Sequence, residues 1–196
     1  MLEKQILTLV RNYAFNNSER DDIHGFSHTE RVHDLSIQIG KNLGANLFIL
    51  RISALLHDIG RIREKTSSSH HADLSAKMAS QFLDTLNFEI SEKYKLNIIH
   101  CIRTHSFSNN IVPETLEAKI LSDVDKLDAL GAIGLYRVIG FTIKKKGGIE
   151  QVIEHLENKI LKLRDQLYLE ESQKIADERK QIIINFYHKL KQESNI

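Results

Sequence analysis

The sequence has few of the residues that cross-link a chain or mark a linker between domains. It has no Trp, one Pro, one Cys and nine Gly among 196 residues. The lone Cys101 cannot form an internal disulfide, and no Pro-rich or Gly-rich stretch marks a linker. With 41% hydrophobic residues, the composition fits one globular domain, and we predict a single domain over residues 1–196.

Two further absences narrow the class of partner. No apolar run reaches the length of a membrane span or a signal-peptide core, so we expect a cytoplasmic protein without a membrane partner. Lys and Arg number 27 against 26 Asp and Glu, so no basic excess is available to neutralise a nucleic-acid backbone. We expect a small phosphorylated partner rather than a nucleic-acid polymer. The oligomeric state is left open.

Apolar residues recur at helical spacing along the chain, and no stretch shows the alternation typical of a strand. The pattern therefore predicts an all-α protein. In Ser27-His28-Thr29-Glu30 we expect a capping box that places His28 in the first turn of a helix. The other predicted helices are an opening helix that ends near Asn16, a central apolar one over 47–56 capped by Gly60, and three at about 70–86, 91–105 (capped by Ser91) and 113–127 (opened by Pro113). Beyond Gly148 we predict two amphipathic stretches, whose apolar stripes are Val152, Leu156, Ile160, Leu163 and Leu167 in the first and Ile175, Ile182 and Phe186 in the second.

His57 and Asp58 stand where the predicted central helix ends. Neighbours on a helix lie about 100° apart, so both can reach one ion only if it lies close beside that last turn. Taken alone, a buried histidine beside a helix-ending aspartate is the commoner interpretation. An aspartate at a helix C-terminus opposes the helix dipole, however, and a cation would remove that conflict.

Asp123 and Asp125 interrupt an apolar helical pattern later in the chain. Two residues apart, they lie about 200° apart around a helix, so at most one can point directly at a given ion. Helical geometry does not choose between them.

The order of these residues resembles the H…HD…D signature of the HD superfamily of metal-dependent phosphohydrolases. The resemblance covers nearly the whole chain. Within the superfamily, the chain is similar to a subgroup of single-domain proteins, some of which hydrolyse nucleotides. This resemblance implies a compact helical bundle of the HD-domain type, in which C-terminal helices (about 150–196) pack on the metal-binding core. The segments that carry it are Ser27-His28-Thr29-Glu30-Arg31-Val32, Ala54-Leu55-Leu56-His57-Asp58-Ile59-Gly60, His71-Ala72, Ile102-Arg103-Thr104-His105-Ser106-Phe107-Ser108 and Asp123 to Gly134.

The resemblance also implies a ligand set for one divalent ion: His28, His57, Asp58 and a late aspartate. The family segment similar to Ala-Asp-Lys/Arg-Leu matches the sequence around Asp125, which we take as the fourth ligand. Asp123 is then the competing ligand or an acceptor that orients a ligating imidazole. A site of two imidazoles and two carboxylates suits Mn, Fe, Co, Ni or Mg better than it suits a structural zinc ion, which is typically held by thiolates.

Further roles follow from the same resemblance. We expect Asp58, His71, His105 and Asp123 to take part in catalysis. His71 and His105 are also expected to contact phosphate or move protons, although each alone could be a histidine at a helix end. Independently of the resemblance, Arg31 and Lys126 are cations near the ligands in sequence and are expected to bind the substrate, with Arg61 and Lys65 as weaker candidates.

The predicted activity is hydrolysis of nucleoside phosphates, including cleavage of a triphosphate to a monophosphate and pyrophosphate. One alternative is a phosphodiesterase of cyclic or dinucleotide messengers, although the Gly-Tyr-Pro segment of that subgroup is absent. A second alternative is a nucleotide-binding sensor module, which the filled metal positions disfavour. A third is a structural helical protein with accidental histidines.

Overall fold

A computed structural model describes residues 2–194, apart from the side chains of Leu2 and Phe107. Over these residues it contains no strand, only an isolated bridge between Glu19 and Gly25, and the all-α prediction is confirmed. No helix in the described part of the chain is both long and apolar enough to cross a bilayer. The helices are α1 (Leu2–Asn16), α2 (Phe26–Leu43), α3 (Leu47–Leu56), α4 (Arg61–Glu64), α5 (His71–Asp84), α6 (Glu92–Thr104), α7 (Leu116–Leu127), α8 (Gly131–Lys144), α9 (Ile149–Asn158) and α10 (Glu170–Ser194), with 3-10 turns at Phe107–Asn109 and Ile160–Gln166.

The chain forms two compact units. The first ends at Ser122 and the second begins at Asp123, so α7 starts in one and finishes in the other. A single domain with C-terminal helices packed on the metal-binding core stays a prediction.

Helix α3 is the centre of the first unit. It contacts α1, α2, α5 and α6, as its apolar character on most sides predicts. Leu50, Ile52 and Leu56 are completely buried. Each such side chain contributes roughly 1.5–3 kcal/mol when it leaves water, so this helix is held firmly. The residues that follow it, His57 and Asp58, therefore start from a rigid support.

The capping box predicted at Ser27 is wrong. Helix α2 begins at Phe26 after Gly25, and Ser27 already lies in its first turn. The start is set by a close backbone approach, because a Cβ on Gly25 would lie 1.9 Å from the carbonyl oxygen of Asp21. His28 nevertheless lies in the first turn of the helix, as predicted.

Gly60 does not cap α3 as predicted. Its φ is −84°, and it precedes α4, while α3 ends at Leu56. A glycine is needed there for space, because a Cβ would lie 2.6 Å from both the carbonyl oxygen of His71 and the amide nitrogen of Ser75. Its amide also donates to the Ser75 hydroxyl at 2.9 Å. This contact seats α5, which begins at His71, against the turn that contains Asp58.

We expect Gly60→Ala to lower the free energy of unfolding by about 1–3 kcal/mol, because the methyl group would meet two backbone atoms at 2.6 Å and Leu74 Cβ at 2.8 Å, none of which is the end of a flexible side chain. Chemical unfolding of purified protein measures this. Gly148→Ala is the control, since its Cβ would meet only the Gln151 side chain at 3.7 Å. Equal stability of Gly60→Ala and Gly148→Ala would contradict the close approach of the α5 backbone to Gly60.

The second unit contains α8, α9 and α10, which contact one another. The predicted amphipathic stretch from Val152 to Leu167 is confirmed, with Leu156 fully buried. The stripe predicted on the last helix is displaced by one position: Ala176 and Ile183 are buried, whereas Ile182 is 47% exposed. Adjacent positions differ by about 100° around a helix, so a one-residue error changes the face.

Candidate metal centre

Four histidines and one aspartate come together in the first unit. His28 lies on α2, His57 and Asp58 follow α3, His71 opens α5, and His105 follows α6. His28, His57 and His105 are fully buried, and His71 and Asp58 are each 5% exposed. Residues separated by up to 77 positions thus share one buried cluster.

The Asp58 carboxylate is the centre of this cluster. Its Oδ2 lies 3.7 Å from His28 Nε2 and 3.6 Å from His57 Nε2. Its Oδ1 lies 3.3 Å from His105 Nε2 and 3.7 Å from His71 Nε2. Two triads suited to a metal ion therefore share Asp58, one completed by His28 and His57 and the other by His71 and His105.

Backbone carbonyls orient two of the imidazoles. His57 Nδ1 lies 2.7 Å from the carbonyl oxygen of Ala54, and His105 Nδ1 lies 2.6 Å from that of Ile102. A carbonyl can only accept, so each Nδ1 carries the proton. The Nε2 atom of each ring faces Asp58 and is the atom through which the ring can bind a metal.

Glu64 orients the third imidazole. Its Oε1 accepts from the backbone amide of His71 at 2.9 Å and lies 3.0 Å from His71 Nδ1. Burial, followed by the charge of Arg61, lowers the pKa of His71 to about 4. His71 is therefore a neutral ring at neutral pH, with its Nε2 lone pair also directed at the cluster.

The residues fit a cation. Asp58 Oδ1, His71 Nε2 and His105 Nε2 are buried atoms without a hydrogen-bond partner among the described residues. Acceptors that face one another away from water are costly unless something positive lies between them. The cluster can therefore hold a divalent metal, and its mixed nitrogen and oxygen donors suit a transition-metal ion.

Two residues outside the predicted site set contact the cluster: Arg61, which the sequence suggests only as a weaker substrate-binding candidate, and Glu64, which it does not single out. Burial alone would raise the pKa of Asp58, but Arg61, His57 and His105 together lower it well below its usual value. The Arg61 guanidinium donates directly to Asp58 Oδ2. The spacing of three residues between Asp58 and Arg61 could have suggested this contact. The conformation of the turn between them decides which side chains meet, and the sequence does not give that conformation.

The other predicted site residues of α7 belong to the second unit. Asp123 is buried, and its two carboxylate oxygens accept from the amides of Tyr168 and Leu169, each at 2.9 Å. Burial raises the pKa of Asp123 and lowers that of Lys126, which is 5% exposed. Asp125 is half-buried on α7. The catalytic role of Asp123, the ligand role of Asp125 and the substrate role of Lys126 stay predictions.

Arg31 lies half-buried on α2, three residues after His28. Its role in substrate binding also stays a prediction.

Comparison with known families assigns this chain to a protein family. Residues 25–130, more than half of the chain, match the HD domain. The chain belongs to the HD-domain family. The matched residues include His28, His57 and Asp58, and the predicted family is confirmed.

Solved relatives of this HD protein share its fold. The Bacillus subtilis protein YpgQ is 29% identical over 97% of this chain and 92% of its own. A crystal structure of YpgQ in complex with ADP superposes with a TM-score of 0.78 and 25% identity, covering 98% of this chain and 97% of that one. An HD-superfamily hydrolase of Bacillus thuringiensis superposes with a TM-score of 0.76 at 25% identity, over 98% of both chains.

A ribonuclease Y of Thermoanaerobacter pseudethanolicus is 22% identical over 80% of this chain, but only 28% of that protein is covered. Family and structural relatives together confirm the predicted enzyme class, an HD-type metal-dependent phosphohydrolase.

Proposed function

We propose that this HD protein hydrolyses nucleoside phosphates and cleaves a triphosphate at the phosphate nearest the sugar, releasing a nucleoside monophosphate and pyrophosphate. The observation that carries the substrate class is the ADP complex of YpgQ, whose fold this chain matches over nearly its full length. The near-neutral net charge of +1 also favours a compact anionic ligand over a polymer.

The reaction needs an activated water and a stabilised leaving group. We assign one divalent ion to His28, His57, Asp58 and, on the motif resemblance, Asp125. When bound, the ion supplies Lewis acidity toward the phosphate and the attacking water. Its identity among Mn, Fe, Co, Ni and Mg is part of the test below.

The remaining imidazoles supply proton transfer. His71 is neutral at neutral pH and can accept a proton from the attacking water through Nε2, while Glu64 stabilises the resulting imidazolium through Nδ1. His105, whose Nδ1 proton is held by a carbonyl, can accept a proton only at Nε2, on the Asp58 side. Arg31 and Lys126 are the cations assigned to the phosphate oxygens.

A substrate panel tests the proposal: mono-, di- and triphosphates, cyclic nucleotides and simple phosphoesters, each with Mn, Co, Ni, Fe and Mg. Phosphorus NMR then identifies the products. Pyrophosphate from a nucleoside triphosphate is the expected result. Orthophosphate without pyrophosphate would reject cleavage at the first phosphate, and no turnover of any nucleotide would reject the substrate class.

A two-metal phosphodiesterase is the second candidate. It is favoured by the way Asp58 presents one oxygen to His28 and His57 and the other to His71 and His105. The absence of the Gly-Tyr-Pro segment in the sequence counts against a cyclic dinucleotide substrate.

The two candidates predict different results for His71→Ala and His105→Ala. If these rings contact phosphate or move protons, we expect turnover to fall by about 100-fold or more while metal content stays near one ion per chain. Turnover and metal content by mass spectrometry are measured on the same preparation. His33→Ala is the control, because that ring pairs with the exposed Asp34 at 2.8 Å.

Loss of one of two ions in either variant would instead support the phosphodiesterase. A variant with normal turnover would remove that histidine from the mechanism.

A further inference from the structure

Within the second unit, the ring of Tyr168 lies beside the buried cation Lys126. The Lys126 Nζ atom is over the ring, 5.5 Å from its centroid, and Lys126 is only 5% exposed. Tyr168 is 45% exposed. The ammonium thus covers one part of the aromatic surface, and much of the rest of the residue is open to a ligand.

The position of Tyr168 is fixed by its backbone. Residues 167–169 connect a 3-10 turn to α10 without regular structure of their own. The fully buried Asp123 holds two consecutive amides of this connection, those of Tyr168 and Leu169. Hydrogen bonds to a buried carboxylate are among the stronger ones, so the connection is held against the last turns of α7. An exposed aromatic ring on a pinned connection loses little conformational freedom when a ligand covers it.

A nucleoside phosphate has an aromatic base at one end and a negative charge at the other, and Tyr168 and Lys126 provide a ring and a cation side by side. Aromatic side chains stack on bases of any sequence because every base has a π-face.

We propose that Tyr168 is the base-stacking residue of this enzyme, while Lys126 binds the phosphate. This inference rests on the proposed function, because it presumes a nucleotide substrate, and it adds the group that distinguishes a nucleotide from a bare polyphosphate. The enzyme then selects for the presence of a base and little for its identity.

Binding of ADP and of inorganic pyrophosphate, each measured by calorimetry with Mg²⁺, separates the base from the phosphates. We expect Tyr168→Leu to weaken ADP about tenfold and to leave pyrophosphate unchanged, whereas Tyr168→Phe keeps both affinities. Tyr136→Leu is the matched control, since Tyr136 on α8 is a tyrosine of comparable exposure, 55% against 45% for Tyr168.

The absence of Trp provides a second measurement that does not depend on Tyr168→Leu folding. Tyr168→Trp introduces the only indole in the protein. We expect ADP to quench its fluorescence and pyrophosphate not to do so, while a Tyr136→Trp indole responds to neither ligand.

Equal weakening of ADP and pyrophosphate by Tyr168→Leu would overturn the inference, because Tyr168 would then act only through Lys126. Unchanged ADP binding in Tyr168→Leu, or an indole at position 168 that ADP does not quench, would overturn it as well. In these cases wild-type turnover of nucleotides leaves the proposed function standing. If the wild type neither binds ADP nor hydrolyses any nucleotide, the proposed function fails and the inference fails with it.

Discussion

Asp58→Asn is expected to abolish metal binding and to lower hydrolysis by more than about 100-fold. Substitution of a residue that only orients a metal ligand already costs up to about 100-fold, and Asp58 is a proposed ligand itself. Asp58 supplies the carboxylate that faces all four imidazoles of the cluster. The amide has nearly the same shape but no charge, and its nitrogen cannot coordinate the ion as a carboxylate oxygen does.

The same substitution should leave the fold intact. The asparagine amide keeps the shape of the carboxylate but loses the charge that pairs with Arg61 and that holds the pKa of Asp58 well below its usual value. Because an ionised carboxylate with a lowered pKa stabilises the fold, we expect the metal-free variant to stay folded but to unfold at a somewhat lower temperature than the metal-free wild type. Metal content, turnover and thermal unfolding are measured together.

Asp73→Asn is the control for this prediction. Asp73 also lies in the first unit, but its carboxylate pairs with Arg103 at 3.0 Å rather than with the histidines. Wild-type turnover in a metal-free Asp58→Asn protein would refute the metal-dependent mechanism.

Asp125→Ala and Asp123→Ala are expected to fail in different ways. We expect Asp125→Ala to lose the metal and nearly all hydrolysis, because Asp125 is the proposed ligand. Asp123→Ala removes the acceptor of two amides, those of Tyr168 and Leu169. Leaving such groups without partners costs about 2–4 kcal/mol, so this variant loses stability and retains weakened metal binding.

The measurements are metal affinity and chemical unfolding with and without a chelator. The two variants control for each other, since both remove a carboxylate from α7. If metal binding is lost only in Asp123→Ala, the two assignments must be exchanged. If metal affinity is unchanged in both variants, neither aspartate is a ligand.

Several features of the site could be predicted from the sequence because they depend on local order. His28 in a first helical turn, the His57-Asp58 pair after an apolar helix, and Ser91 as the N-cap of α6 all follow from nearest-neighbour patterns. The family resemblance added His71 and His105, whose individual chemistry is ambiguous.

Local patterns failed where a neighbouring element sets the geometry. Gly25 and Gly60 are glycines because other segments approach their backbones, a cause that no nearby residue type reveals. The contacts of Arg61 with Asp58 and of Glu64 with His71 depend in the same way on how the turn after α3 folds back.

The sequence by itself determined that the chain is helical, that it belongs to a metal-dependent family, and which residue types can bind an ion. Periodicity and motif order contain that information because they are properties of neighbouring residues. Only the tertiary structure decided that four imidazoles share one carboxylate, with three of the rings oriented by Ala54, Ile102 and Glu64. It also decided that Asp123 holds the connection containing Tyr168. These arrangements depend on distances between segments far apart in the chain, and such distances are set by packing.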